Sequence, residues 1–148
     1  MIPTVDLPAN RSYGLAKDER ICSRRLVEKL FGGSGSRTMS AYPLRLVYMT
    51  VEKQCGAQAQ ILVSVPKKHF KHAVDRNRVK RQLREAYRHN KHILLDVLGG
   101  RPDTALALAF VWQAKVFLET DEVAKKMIVL LTRVAEKITR DGHNNEKG

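Results

Sequence analysis

Ten lysines and arginines and only two carboxylates fall between Pro66 and Lys91, and no other feature of this 148-residue chain restricts its fold so strongly. Ten charges against two leave +8 of the formal net +12 on one short stretch. That much charge cannot be buried, because an ionised group taken out of water without a partner costs several kcal/mol or more. The stretch can join a core only as an element that segregates its few apolar residues. Wound as a helix at about 100° per residue, it brings Val79, Leu83, Ala86, Tyr87 and Leu94 into one sector of roughly a quarter turn. That sector must lie on something apolar. Arg76, Lys80 and Arg84 then repeat every four residues along one flank, with Arg81 and Arg88 beside them. Like charges at this spacing repel by a few tenths of a kcal/mol per pair, a cost that phosphates would remove. Arginine suits that task because its planar fork binds phosphate oxygens bidentately, and helical amides near Asn77 and Arg78 offer a further anion site. A nucleic acid is therefore the favoured partner, ahead of an anionic membrane. A membrane-surface helix would need its apolar residues for lipid, whereas these are needed to cover a sheet. A zipper-type arm would need heptads that "HNKHILLDVLGG" does not supply.

The flanking sequence supplies that sheet. In "YPLRLVYMTVEK" the residues Tyr42, Leu44, Leu46 and Tyr48 alternate with Arg45, Val47 and Met49, and "AQAQILVSV" alternates Ala57, Ala59, Ile61, Val63 and Val65. With "KQCG" between them, the two runs predict an antiparallel hairpin. Further on, "TALALAFVW" sets Leu106, Leu108, Phe110 and Trp112 on one side and small residues on the other, a strand by its period in spite of the helix preference of Ala and Leu. A first helix is predicted from Lys17, with Ile21, Leu26, Val27, Leu30 and Phe31 on one face and "GGSG" as its end. A last helix carries Val123, Met127, Leu130, Leu131, Val134 and Ile138, and stops at "DG". The expected fold class is α/β (α+β): a two-layer sandwich with a small, mainly antiparallel sheet packed with helices, in the order α-β-β-α-β-α. Residues 1–14 are expected to form a flexible arm, 15–140 a single nucleic-acid-binding domain, and 141–148 a disordered tail.

Chemistry by the protein itself is not indicated. Cys22 and Cys55 lack a second Cys or a His at metal-ligand spacing and read as reduced thiols of a cytoplasmic protein; no secretory signal or membrane span is evident. His69 with His72, and His89 with His92, have one-turn spacing, but no carboxylate cluster accompanies them and they read as solvated or phosphate-contacting groups. Neither a catalytic residue nor a metal ligand is assigned.

The string "VSVPKKHFKHAVDRNRVKRQLREAYR" resembles the signature of the bacterial ribonuclease P protein component, whose strand ends in Val-Ser-x-Lys-Lys and leads through Ala-Val into Arg-Asn-Arg-x-Lys-Arg-x-x-Arg. These elements occur here in order from Ser64 to Arg84, with two residues, Val65 and Pro66, between Ser64 and Lys67. The resemblance implies a left-handed βαβ crossover, against the usual rule. It also implies an RNA-dependent endonuclease that removes the 5′ leader of precursor tRNA, in which the RNA subunit holds the Mg2+-dependent centre. The protein would bind that catalytic RNA and the precursor tRNA leader. Carried over by motif, Arg76, Asn77, Arg78, Lys80, Arg81 and Arg84 would face the RNA, with Lys67, Lys68, Lys71 and Arg88 as further contacts and Asn77 near a metal. The family's leader cleft lies on the sheet face beside the first helix, where two aromatics usually stand four residues apart. Phe31 fits the second position, but Val27 occupies the first, so Tyr42 and Tyr48 are the candidates to compensate. Pro66 replaces the usual serine where the strand ends. The alternative reading is a general RNA-binding or ribosome-associated protein without a catalytic RNA partner.

Overall fold

A computed structural model describes residues 19–21, 24–32, 35–52 and 58–147. In chain order its elements are α1 (Arg24–Gly32), β1 (Arg37–Ala41), β2 (Leu44–Glu52), β3 (Ala59–Ser64), α2 (Ala73–Asn90), α3 (His92–Leu98), β4 (Thr104–Trp112) and α4 (Thr120–Lys147). The four strands form one sheet in the order β1-β2-β4-β3. β4 takes an inner position because it carries no charged side chain and is buried along almost its whole length. It runs antiparallel to β2, with Tyr48 opposite Leu108, and parallel to β3, with Ile61 opposite Leu108.

The predicted hairpin is corrected by this order. β2 and β3 do not pair with each other; β4 lies between them. Local alternation could not reveal this, because the connection from Glu52 to Ala59 has only to span two strand spacings, about 10 Å, to leave room for a third strand. The antiparallel hairpin is instead β1–β2, whose register runs from Arg37 opposite Tyr48 to Ala41 opposite Leu44. Its two-residue connection is Tyr42–Pro43, a cis peptide, so Tyr42 belongs to a turn and is 62% exposed rather than sharing a strand face with Leu44.

Period-two alternation divides the side chains between the two faces of the sheet. Leu44, Leu46 and Tyr48 of β2, Ile61 and Val63 of β3, and Leu106, Leu108, Phe110 and Trp112 of β4 form the main core with the apolar stripes of α2, α3 and α4. Val79, Leu83, Ala86 and Tyr87 of α2 are buried there, as is Leu94 of α3. The other face carries Val47, Ala107 and Ala109, on which Leu30 of α1 and Ile21 pack. Alanine at 107 and 109 leaves room for that close approach. Ile21 is not part of the first helix, as its spacing suggests: Arg20 bridges to Ile61, and the Ile21 amide donates to the Ile61 carbonyl at 2.9 Å, so residues 19–21 extend the sheet beyond β3.

α4 continues through Asp141 and Gly142 to Lys147, past the stop that "DG" suggests and through the segment expected to be a disordered tail. One glycine costs a helix only about 1 kcal/mol, too little to end it where nothing forces a turn. The expected arm at residues 1–14, both cysteines and the "KQCG" turn lie outside the described residues.

Candidate nucleic-acid interface

α2 begins at Ala73, immediately after the turn that carries Lys67, Lys68 and Lys71, all three exposed. The amides of Asp75 and Arg76 bond to the His72 carbonyl. Asn77 and Arg78 therefore sit a full turn inside the helix, where their amides are engaged, and the anion site expected from those amides is not formed. Their exposed side chains remain available.

Two neighbours hold α2 along its flanks. On one side Gln82 donates to the Leu118 carbonyl at 2.9 Å and to Thr120 Oγ1 at 3.3 Å, which fixes the β4–α4 connection against the helix. On the other side lies the 19–21 segment: Lys91 Nζ pairs with Glu19 at 3.0 Å, with both side chains nearly buried. Tyr87 is enclosed nearby, and burial, reinforced by the Glu19 charge, raises its phenol pKa.

The cations sort by what they touch. Arg76 turns one guanidinium nitrogen back to the carbonyls of Phe70 and Lys71, at 2.8 and 3.0 Å, and so ties the lysine turn to the helix start. Arg78 lies over the ring of Phe117, 4.2 Å from its centroid. Arg88 is ion-paired with Glu85, which His89 also contacts at 3.1 Å. Among the described residues no carboxylate lies within ion-pairing distance of Lys80, Arg81 or Arg84. Burial, and then the neighbouring Arg20 guanidinium, lower the Arg84 pKa. Arg20 is an exposed cation that no spacing rule could attach to the ridge, since it reaches α2 only through its bridge to β3. His69 is held below its ordinary value by burial, then by Lys68 and Lys115. The cations therefore come from several elements: the lysine turn, α2, Arg20 beside Arg84, and Lys115 beside His69. Such cations can take up phosphates.

The leader candidates separate. Val27 and Phe31 stand on α1 beside the outer sheet face, Val27 half-buried and Phe31 50% exposed. Tyr48 is 4% exposed in the core on the opposite face, so it cannot line the same surface. Its alternation with Val47 decides this, since a strand sends neighbouring side chains to opposite faces. Tyr42, in the β1–β2 turn, remains open to solvent.

Among the described residues no cluster of three or more His, Cys, Asp or Glu could hold a metal ion. None of the described helices is long and apolar enough to cross a membrane.

Comparison with known proteins agrees with the motif. The family model described as Ribonuclease P matches residues 15–135. The ribonuclease P protein component of Porphyromonas gingivalis is 39% identical over 135 residues, covering 91% of this chain and 96% of the relative. That of Chlorobaculum tepidum is 36% identical over 115 residues, covering 74% and 73%. Among solved structures, the ribonuclease P protein of Thermotoga maritima superposes with a TM-score of 0.60 at 19% identity, covering 78% of this chain and 96% of that one. The protein from Staphylococcus aureus gives 0.59 at 18%, covering 78% and 94%. The shared α+β fold and the far closer sequence relatives lead to one assignment: the chain belongs to the ribonuclease P protein family.

Proposed function

We propose that this chain is the RNA-binding protein subunit of a ribonuclease P, which docks the α2 surface on the catalytic RNA and contacts the 5′ leader of precursor tRNA while the RNA subunit cuts the leader away. The observation that carries the reading is the set Lys80, Arg81 and Arg84, which among the described residues has no carboxylate partner although 15 acids are present in the chain. A folded RNA supplies the missing counter-charge. Phe31, exposed on α1 beside the apolar outer face, offers a ring for a leader base, and stacking of that kind is worth roughly 1 to 3 kcal/mol per base. Val27 supplies no ring, so Phe31 and Tyr42, both exposed, are left as the aromatic contacts.

Magnesium is the metal this reading requires, and the described residues do not form a cage for it. The chain's own part is to neutralise phosphates, so that RNA helices carrying the metal-binding oxygens can approach one another. Reconstitution tests the reading. Purified protein, added to a transcript of the ribonuclease P RNA from the same genome, should raise leader cleavage at low magnesium and cleave nothing alone. A general RNA-binding or ribosome-associated protein would leave cleavage unchanged and would enrich ribosomal RNA in footprinting. Cleavage without RNA that is lost on substitution of His69 or His72 would point to a protein nuclease.

A further inference from the structure

Phe117 lies in the β4–α4 connection and is 39% exposed. Phe70 stacks on it, with centroids 4.9 Å apart and planes at 21°, and the Arg78 guanidinium lies over the same ring, 4.2 Å from its centroid. Arg78 itself stands about 160° around α2 from Lys80, on the α4 side of the helix. There it borders a groove that also contains Glu85, Glu119 and Glu122. Among the described residues none of these acids reaches ion-pairing distance of Arg78; the guanidinium rests on the ring instead. A stacked guanidinium keeps its N–H edges free, whereas one paired with a carboxylate has already spent them.

We propose that Phe117 is a positioning residue for RNA binding: anchored by Phe70, its ring holds Arg78 away from the acids of the neighbouring groove and presents the guanidinium edge to an RNA phosphate. This rests on the functional reading above, and it places part of the RNA contact on the α4 side of α2, with Lys115 of the same connection next to it. Without the ring, Arg78 falls toward Glu119 and Glu122 and is neutralised by the protein.

The test measures the affinity of the full chain for its ribonuclease P RNA transcript over a salt series, for wild type, Phe117→Leu, Phe117→Trp, Arg78→Ala and the double variant Phe117→Leu/Arg78→Ala. Phe117→Leu should weaken binding about two- to fivefold, the range of an exposed cation–π contact, and reduce the salt slope by about one, as Arg78→Ala does. Phe117→Trp should restore wild-type binding, and the double variant should bind like Arg78→Ala. A purely structural role would lower the thermal midpoint and weaken binding by the same factor whether or not Arg78 is present; that additivity overturns the proposal. Wild-type affinity in Phe117→Leu also overturns it, while leaving the functional reading intact. If Phe117→Leu does not fold, Phe117→Trp and Arg78→Ala still decide, because a well-folded Trp variant that binds as weakly as Arg78→Ala contradicts positioning by an aromatic face. Absence of RNA binding by wild type overturns the functional reading and this inference together.

Discussion

Replacing Arg84 with methionine separates the cost of a cation to the fold from its value to the partner. Arg84 is half-buried, close enough to Arg20 to feel its charge, and without a carboxylate partner among the described residues. Methionine keeps most of the apolar stem that packs against the domain and removes the charge. Free protein should therefore melt at the same temperature as wild type or slightly higher, because desolvation and repulsion are both relieved. RNA binding should move the other way. Loss of one charge-assisted contact is worth about 1.4 kcal/mol, roughly a tenfold loss of affinity at 100 mM salt. If about seven phosphates are neutralised, the wild-type log–log salt slope is about −6, and removing one makes it shallower by about 0.9. Over a fourfold rise in salt that difference is about 3.5-fold, so the tenfold defect should shrink to about threefold at 400 mM. Fluorescence anisotropy with labelled RNA at four salt concentrations, together with a thermal melt of the free protein, measures both. Arg88→Met is the control: its charge is already engaged by Glu85, so the slope should change by much less. A melting temperature that falls in step with affinity, or a salt slope identical to wild type, would refute the argument.

The nearly buried Glu19–Lys91 pair should behave as a clamp on the 19–21 segment: Lys91→Met removes the ammonium paired with the Glu19 carboxylate and should cost roughly 3 kcal/mol in urea unfolding, much of which Glu19→Leu/Lys91→Met should recover. Tyr48→Ala should cost roughly 3 to 5 kcal/mol because it empties a core site, whereas Tyr42→Ala in the exposed turn should stay within about 0.5 kcal/mol; equal effects in denaturant titrations would contradict the assignment of faces. His69 gives a pH signature. Its folded-state pKa lies below the ordinary 6.5, so below that value the unfolded chain binds the proton more readily. Stability from this group is complete above about pH 6.5 and declines as the pH falls toward the depressed folded value; His69→Gln should flatten urea midpoints across pH 5 to 7.

The parts of this fold that were legible in the sequence are those fixed by one element's own periodicity. The α2 sector of Val79, Leu83, Ala86 and Tyr87 is buried as its spacing requires, and the large side of "TALALAFVW" packs against it in the main core. Pairing was illegible because it depends on what comes later in the chain: β3 looks like the hairpin partner of β2 until β4 enters between them. β1, "RTMSA", has almost no apolar alternation because one of its edges and much of its surface face water. The site divides along the same line. Its motif cations occupy one continuous stretch and are read directly, but Arg20 and Phe117 join them only through tertiary contact, 64 and 39 residues from Arg84 and Arg78 respectively.

The carboxylates explain why the positive surface ends where it does. Glu85 reaches forward along α2 to Arg88 and His89, and Glu19 comes from the adjoining segment to meet Lys91, so the C-terminal end of the helix carries its own counter-charge. Among the described residues the first turns have no such ion pair. Asp75 is the single acid there, against Arg76, Arg78, Lys80 and Arg81, and the exposed Lys67, Lys68 and Lys71 adjoin them. The helix dipole places its positive end on the same side, so the potential rises toward the N-terminus instead of spreading evenly along the helix. A polyanion should therefore be drawn to the junction of the lysine turn and the first half of α2. Substitutions at Lys80, Arg81 and Arg84 should reduce affinity more than substitutions at Arg88 or Lys91, even though all five cations belong to one basic stretch of sequence.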